Sequence, residues 1–163
     1  MTWNDKSERV RRRLLKPWNF RMYLWAKLPL AACAGLKLRR LEADGCTVSL
    51  PGGWRTQNPF RSTYFAAQMM AAEMSTGAPA MVLVEGAPAS VALILREVRA
   101  VFNKKIAGTS LYTFADVAGL RDAVERAAGQ PDETRYTAQV LATTLDGAPA
   151  SEFEVTWSFK RRT

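Results

Sequence analysis

The sequence predicts an α+β domain in which a curved antiparallel sheet wraps one apolar helix, with extra helices at the amino terminus. Residues 57–77, QNPFRSTYFAAQMMAAEMSTG, have helical composition and almost no polar face. A helix that is apolar nearly all round must be covered on most sides. Strand-like segments separated by turn residues follow it, and they predict the sheet that supplies this cover. At 163 residues the chain fits one domain.

The amino-terminal segment is predicted to be helical over residues 4–33, with a break at Lys16 because proline disfavours helical geometry in the residue before it. The first piece, residues 5–15, is basic and solvated, and the second, residues 18–32, has apolar residues that can lie across another surface. We therefore expect residues 1–33 to form a basic helical extension and residues 34–163 to form a single domain.

A hairpin is predicted next, because Cys46, Val48 and Leu50 alternate with polar residues directly after the turn pair Asp44 and Gly45. The apolar helix then follows. Asn58 is its predicted N-cap, Pro59 its first helical residue and Gly77 its end, because these residue types favour those positions.

Five strands are predicted after Gly77, at residues 80–85, 90–103, 109–114, 136–144 and 152–160. The last has the period of a half-buried strand, because alternate residues on one face are large and apolar: Phe153, Val155, Trp157 and Phe159. An amphipathic helix is expected between the third and fourth strands, over residues 116–128, capped by Asp116 and ended by Gly129.

The net charge of +8 is concentrated at the ends of the chain, since residues 1–45 hold eleven Lys/Arg against four Asp/Glu. Such termini attract nucleic acid, anionic lipid or phosphorylated ligands without choosing among them. No nucleic-acid recognition motif accompanies them, so no specific nucleic-acid partner is expected. Three tryptophans among the basic residues, Trp3, Trp18 and Trp25, leave contact with a membrane surface as an alternative.

Histidine is absent from the sequence, which excludes Ser-His-Asp and Cys-His mechanisms and any His-ligated metal site. Cys33 and Cys46 match no zinc or redox spacing. Residues 30–33 resemble a lipoprotein cleavage box, but Arg21 and Lys27 interrupt the apolar run that would precede it. A cytoplasmic protein is therefore expected.

The order and spacing of Asn58, the Tyr64-Phe65-Ala66 segment and Glu73 resemble those of the hotdog-fold thioesterases, in particular the DUF4442 branch. The resemblance spans roughly residues 30–162. It implies an acyl-CoA or related acyl-thioester hydrolase that acts as a homodimer or dimer of dimers, with sites at the subunit interface. It implies no metal and no cofactor, coenzyme A being part of the substrate.

The resemblance also implies roles for individual residues. Glu73 would be the general base or nucleophile, Asn58 would position substrate or water, and the Phe65 backbone N–H would stabilise the oxyanion. A carboxylate in apolar surroundings has a raised pKa and is a stronger base. Amides at a helix N-terminus point at developing negative charge without reorganisation.

Five further residues are candidates for substrate binding: Tyr64, Gln68, Met69, Lys104 and Lys105. The lysines would meet the phosphates of coenzyme A, or be solvated. Each of four candidates also has a structural explanation. Gln68 could form a hydrogen bond in the core and Met69 could pack there. Asn58 could cap the helix, and Glu73 could form a structural hydrogen bond. Many active relatives have His-Gly-Gly where this chain has Tyr64-Phe65-Ala66, which favours a rival hypothesis of a non-catalytic protein that binds acyl ligands or lipids.

Overall fold

The computed structural model of the chain describes residues 3–162. Five helices and six strands lie in this range, in the order α1 (Asp5–Leu15), α2 (Pro17–Lys27), α3 (Pro29–Ala34), β1 (Lys37–Glu42), β2 (Gly45–Leu50), α4 (Phe65–Gly86), β3 (Val91–Phe102), β4 (Ser110–Phe114), α5 (Val117–Gly129), β5 (Thr134–Thr144) and β6 (Pro149–Arg161). The predicted hairpin, the predicted helix after Asp116 and the predicted last four strands are all confirmed.

The six strands form one antiparallel sheet in the order β1-β2-β4-β5-β6-β3. The sheet is curved, and α4 contacts every one of its strands as well as α1 and α5. This arrangement confirms the predicted architecture of one apolar helix wrapped by a sheet. It also explains why α4 needs no polar face: its surface is covered from nearly every direction.

The inner face of the sheet has the side chains that the alternating patterns predict. Phe153, Val155, Trp157 and Phe159 of β6 are all buried, as are Cys46, Val48 and Leu50 of β2. These residues form one hydrophobic core with the apolar residues of α4. Burial of this kind is the main favourable contribution to folding.

The predicted start of the apolar helix is wrong. The helix begins at Phe65 with Tyr64 as N-cap, rather than at Pro59 with Asn58 as N-cap. The Asn58 Oδ1 atom instead accepts hydrogen bonds from the Phe60 N–H, the Ser62 N–H and the Ser62 hydroxyl, at 3.0, 3.1 and 3.1 Å. Asn58 therefore closes a tight loop ahead of the helix, as asparagine side chains do in turns.

The predicted end of the helix at Gly77 is also wrong, and so is the predicted strand over residues 80–85. The helix passes through Gly77 and Pro79 and ends at Gly86. An interior proline removes one helical hydrogen bond, but Pro79, Ala80 and Val82 are buried. Packing against the surrounding elements therefore outweighs the local preference of glycine and proline to end a helix.

Of the amino-terminal helices, α1 packs directly against α4, and α2 packs against α1 and β1. The predicted break at Lys16 is confirmed, and a second break at Leu28, before Pro29, divides the predicted piece over residues 18–32 into α2 and α3. The Ser7 hydroxyl donates to the Val82 carbonyl at 3.0 Å, and the Asn4 side-chain amide donates to the Gly86 carbonyl at 2.9 Å. The Gly86 carbonyl is one of the last four of α4, which have no intrahelical donor, and the bond to Val82 attaches α1 one turn earlier.

Candidate active site

Glu73 lies in the middle of α4 and lines a cavity of about 300 Å³. The other walls of this cavity are largely apolar: Leu14 and Phe20 come from the amino-terminal helices, while Leu93 and Trp157 come from the sheet. Burial raises the pKa of the Glu73 carboxyl to about 7. Among the described residues the carboxylate has no hydrogen-bond or ion-pair partner that would oppose this shift. It is thus a desolvated base with a pKa close to neutral pH.

Gly77 provides the space that the Glu73 carboxylate occupies. A Cβ atom at position 77 would lie 2.8 Å from Glu73 Oε1 and 3.4 Å from Trp157 Cζ2. A glycine inside a helix costs about 1 kcal/mol relative to alanine. The residue predicted to end the helix therefore has a different role: it keeps the side of α4 open beside the carboxylate.

A chain of two hydrogen bonds holds this turn of α4 against the sheet. The Trp157 indole N–H donates to the Thr76 hydroxyl at 2.9 Å, and the Thr76 hydroxyl donates to the Glu73 carbonyl at 2.9 Å. Thr76 and Trp157 are buried, so their polar groups cannot bond to solvent and bond to each other and to the helix backbone instead. They fix the backbone from which the Glu73 side chain projects.

A second cavity, of about 550 Å³, lies at the N-terminus of α4. It is lined by most of the remaining residues predicted for the site: Asn58, Tyr64, Phe65, Gln68, Lys104 and Lys105. The Thr63 N–H donates to the Ile106 carbonyl at 2.7 Å, which attaches the loop before α4 to the segment carrying the two lysines. The structure therefore brings six of the eight predicted residues together, while Glu73 lines the other cavity and Met69 lines neither.

Because the helix starts at Phe65, the Phe65 N–H is available to bind a ligand. Phe65 and Ala66 are the first two residues of α4, and the first N–H groups of a helix have no intrahelical acceptor. The N–H groups of Ala67 and Gln68 already donate to the Tyr64 carbonyl. Of the two donors without an intrahelical acceptor, the Phe65 N–H belongs to a residue that lines the second cavity, and the helix dipole reinforces it.

The polar side chains of this cavity differ in how far they are already bonded. The Gln68 amide donates to the Thr63 carbonyl at 3.2 Å and accepts from the Ser151 hydroxyl at 3.0 Å, and it is buried. These bonds give Gln68 a structural role, and its role in substrate binding stays a prediction. The Asn58 oxygen is occupied by the loop, whereas its side-chain N–H groups have no partner among residues 3–162.

Thr63 is a candidate that the sequence did not single out. Its side-chain oxygen is buried, lines the second cavity and has no hydrogen-bond partner among the described residues. A buried polar atom left in this way is costly unless a ligand or water meets it. No sequence motif marks Thr63, because its importance comes from the loop geometry that Asn58 creates.

The two cavities are separate within one chain. Phe65 and Glu73 are eight residues apart on the same helix, which places their backbones about 12 Å apart along its axis. The Phe65 N–H and the Glu73 carboxylate of one subunit therefore belong to different cavities. Each cavity therefore contains one half of the predicted catalytic machinery.

The outer face of α2 is exposed and partly apolar. Trp18, Met22 and Trp25 are spaced to share one side of this helix, and Trp18 is 71% exposed. This placement is compatible with the membrane-surface alternative, which stays a prediction. Trp3 lies instead against the guanidinium of Arg121, at 5.2 Å from ring centroid to Arg121 Cζ. None of the helices described is both long and apolar enough to cross a bilayer.

Comparison with known proteins gives a family and a fold. The profile of DUF4442, a domain of unknown function, matches residues 16–159. A comparison with curated proteins finds no match. Three solved structures are similar. A probable thioesterase of unknown function from Pseudomonas aeruginosa superposes with a TM-score of 0.73 at 19% identity, covering 92% of this chain and 99% of its own.

A thioesterase from Haemophilus influenzae gives a TM-score of 0.67 at 10% identity, over 90% of this chain and 91% of that one. A thioesterase family protein from Silicibacter pomeroyi gives 0.65 at 14% identity, over 96% and 99%. At these identities the likeness establishes the fold, which is the hotdog fold that the sequence resemblance implies.

Proposed function

Since the chain belongs to the DUF4442 family and has the fold of solved thioesterases, we propose that it is an acyl-thioester hydrolase acting on acyl-CoA esters. The observation that carries the proposal is Glu73, a carboxylate with a pKa of about 7 in an apolar cavity. A partly buried carboxylate with no bonded partner among the described residues is costly for folding, and its chemistry as a base gives a reason to keep it.

In the proposed reaction Glu73 takes a proton from a water molecule as the water oxygen attacks the thioester carbonyl carbon. The carbonyl oxygen becomes an oxyanion, which the Phe65 N–H stabilises at the positive end of α4. When the C–S bond breaks, the proton passes from Glu73 to the leaving thiolate. The products are a carboxylic acid and a thiol, and no other reactant is required.

The remaining residues of the second cavity would bind the substrate. The side-chain N–H groups of Asn58 can donate to the thioester carbonyl or to the attacking water. Lys104 and Lys105 are exposed and lie at the same cavity, where their charges would attract the phosphates of coenzyme A. The second cavity thus has donors for the thioester carbonyl and positive charges for the phosphates of coenzyme A.

We propose further that a second copy of the chain completes each site. The separation of about 12 Å between the backbones of Phe65 and Glu73 and their placement in different cavities favour a site in which the oxyanion donor of one subunit acts with the carboxylate of the other. The edge strand β3 supports such pairing, because it bonds only to β6 among the described strands. It also exposes apolar side chains, with Ile94 and Val101 each 57% exposed. A long apolar edge strand is a template for pairing with another chain.

The test is hydrolysis of acyl-CoA esters of several chain lengths, monitored by release of the free thiol. Glu73→Gln removes the base while keeping the shape of the side chain, and we expect it to reduce kcat/KM by at least about 100-fold. Glu125→Gln, at an exposed carboxylate on α5, is the matched control and should retain activity. Equal turnover by wild type and Glu73→Gln would refute the role of Glu73.

A non-catalytic acyl-binding protein is the second candidate, and one observation favours it. The rings of Tyr64 and Phe65 pack edge to face, with centroids 4.8 Å apart, and both are exposed at the wall of the second cavity. Rings in this position leave less room for a ligand to approach the Phe65 N–H. Acyl-CoA binding by the wild-type protein with no thiol release at any chain length would select this function.

A further inference from the structure

A groove adjoins the Glu73 cavity on the side of the amino-terminal helices. It has a volume of about 570 Å³ and lies between α1, α2 and the second half of α4. Three residues line both the groove and the Glu73 cavity: Leu14, Tyr23 and Met81. The two spaces are therefore neighbours that share a wall, and together they extend from the middle of α4 toward its C-terminal end.

The lining of these spaces changes from apolar to polar along their length. Around Glu73 the walls include Phe20, Leu93 and Trp157, and Glu73 is the only carboxylate among the lining residues. In the groove, charged and amide side chains occur together, among them the cations Arg13 and Lys27 and a second carboxylate, Glu85, at the outer end. A space with one carboxylate at its inner end, an apolar middle and a polar outer end matches a long hydrocarbon chain better than a compact polar molecule.

Tyr23 and Met81 form the boundary between the two spaces. The Tyr23 hydroxyl donates to Met81 Sδ at 3.4 Å, a weak hydrogen bond because a thioether sulfur is a weak acceptor. Methionine has three rotatable bonds and adapts readily to irregular apolar space. Rotation of the Met81 side chain would join the cavity and the groove at little cost.

We propose that the cavity and the groove together form a channel for the hydrocarbon chain of a long-chain acyl ligand, with α2 as its outer wall and Met81 as its gate. The orientation of the ligand, with its carbonyl carbon at Glu73, rests on the proposed hydrolase function. The channel itself rests on the shared walls and their apolar lining. The amino-terminal helices would thus determine which chain lengths the protein accepts.

The test compares Met81→Trp, which fills the boundary, with Met81→Leu, a change that nearly conserves volume and is tolerated in most apolar sites. The first readout is binding of cis-parinaric acid, a fluorescent long-chain fatty acid. The second is kcat/KM for acyl-CoA esters of increasing chain length. Burial of each methylene group strengthens binding roughly fourfold, so wild type and Met81→Leu should improve steadily with chain length.

Met81→Trp is expected to bind cis-parinaric acid at least about tenfold more weakly, since several methylene groups lose their site. Its thermal unfolding midpoint should stay close to that of wild type, which shows that it is folded, while its kcat/KM should lose the gain for longer chains. Binding of cis-parinaric acid by Met81→Trp with wild-type affinity would overturn the channel. So would wild-type protein that does not bind the probe.

The two proposals fail in different ways. If wild type hydrolyses no acyl-CoA ester yet binds cis-parinaric acid, and Met81→Trp loses that binding, the hydrolase function is refuted and the channel is supported. If wild type hydrolyses short esters and Met81→Trp shows the same chain-length profile as wild type, the channel is refuted and the hydrolase function is supported.

Discussion

Replacement of Glu73 by glutamine should make the protein more stable while it removes the proposed base. The Glu73 carboxyl lies in an apolar cavity without a hydrogen-bond partner among the described residues, and burial raises its pKa from 4.5 to about 7. The folded state therefore holds the proton more tightly than the unfolded state does. Glutamine has nearly the same shape and no charge, so it isolates the cost of ionisation.

The magnitude follows from linkage between proton binding and folding. Below pH 4.5 the carboxyl is protonated in both states, and its raised pKa has no cost. Between pH 4.5 and about 7 the unfolded chain releases the proton while the folded protein keeps it, so stability falls as the pH rises. Above the folded pKa the loss is complete. A shift from 4.5 to about 7 corresponds to a loss of about 3 kcal/mol.

The assay is urea unfolding of wild type and Glu73→Gln from pH 4 to pH 8, at one fixed protomer concentration because dimerisation would add to the apparent stability. The difference in the free energy of unfolding should grow in favour of Glu73→Gln by about 3 kcal/mol across the window from pH 4.5 to 7. Other titrating groups are the same in both proteins and cancel in this difference.

A difference that stays flat over this range would refute the reasoning, because it would mean that the Glu73 carboxylate is solvated or bonded in the folded protein. Glu125→Gln serves as the control at an exposed site and should give a flat difference. In the same pH series kcat/KM of wild type should rise as the base loses its proton, with a midpoint near 7.

Three further changes test the site. Gly77→Ala would place a Cβ atom 2.8 Å from Glu73 Oε1, and we expect hydrolysis to fall roughly 10- to 100-fold. Thermal stability should be kept or raised, because alanine favours a helix. Loss of stability together with activity would contradict this. Thr76→Val should destabilise the protein by about 1–3 kcal/mol in urea unfolding, since the buried Trp157 N–H loses its acceptor. The third test unfolds and refolds Glu73→Gln subunits together with Asn58→Ala subunits, each of which should be weakly active alone. About a quarter of wild-type activity should return, because half of the dimers are hybrids and each hybrid has one intact site. Absence of recovery would place the whole site within one chain.

The sequence predicted the sheet and the wrapped helix because their signals are periodic and long. The alternation in β6 and the apolar circumference of α4 each repeat over many residues, so the burial of Phe153, Val155, Trp157 and Phe159 could be read directly. The ends of α4 could not be predicted in the same way. They depend on the loop that Asn58 closes and on the packing that carries the helix past Gly77, and neither has a local signature.

The site was predictable in part for a related reason. The spacing of Asn58, Phe65 and Glu73 carried the family resemblance, and it identified residues that line two cavities. No sequence pattern indicates that these cavities are separate in one chain. The position of Tyr23 at the site could not be predicted either. Tyr23 lines the Glu73 cavity from α2, 50 residues earlier in the sequence, and only the tertiary fold brings Tyr23 and Glu73 together.

The bonds from Asn4 and Ser7 to the C-terminal end of α4 have a consequence for biosynthesis. The helix α1 is translated first, yet Asn4 at its N-cap bonds the Gly86 carbonyl, 82 residues later, and Ser7 bonds the Val82 carbonyl, 75 residues later. Until α4 has left the ribosome, Leu14, Phe20 and Leu24, which are buried in the finished protein, lack part of the surface that covers them. Nascent chains are therefore most prone to aggregation, and most dependent on chaperones, while this segment waits for its partner.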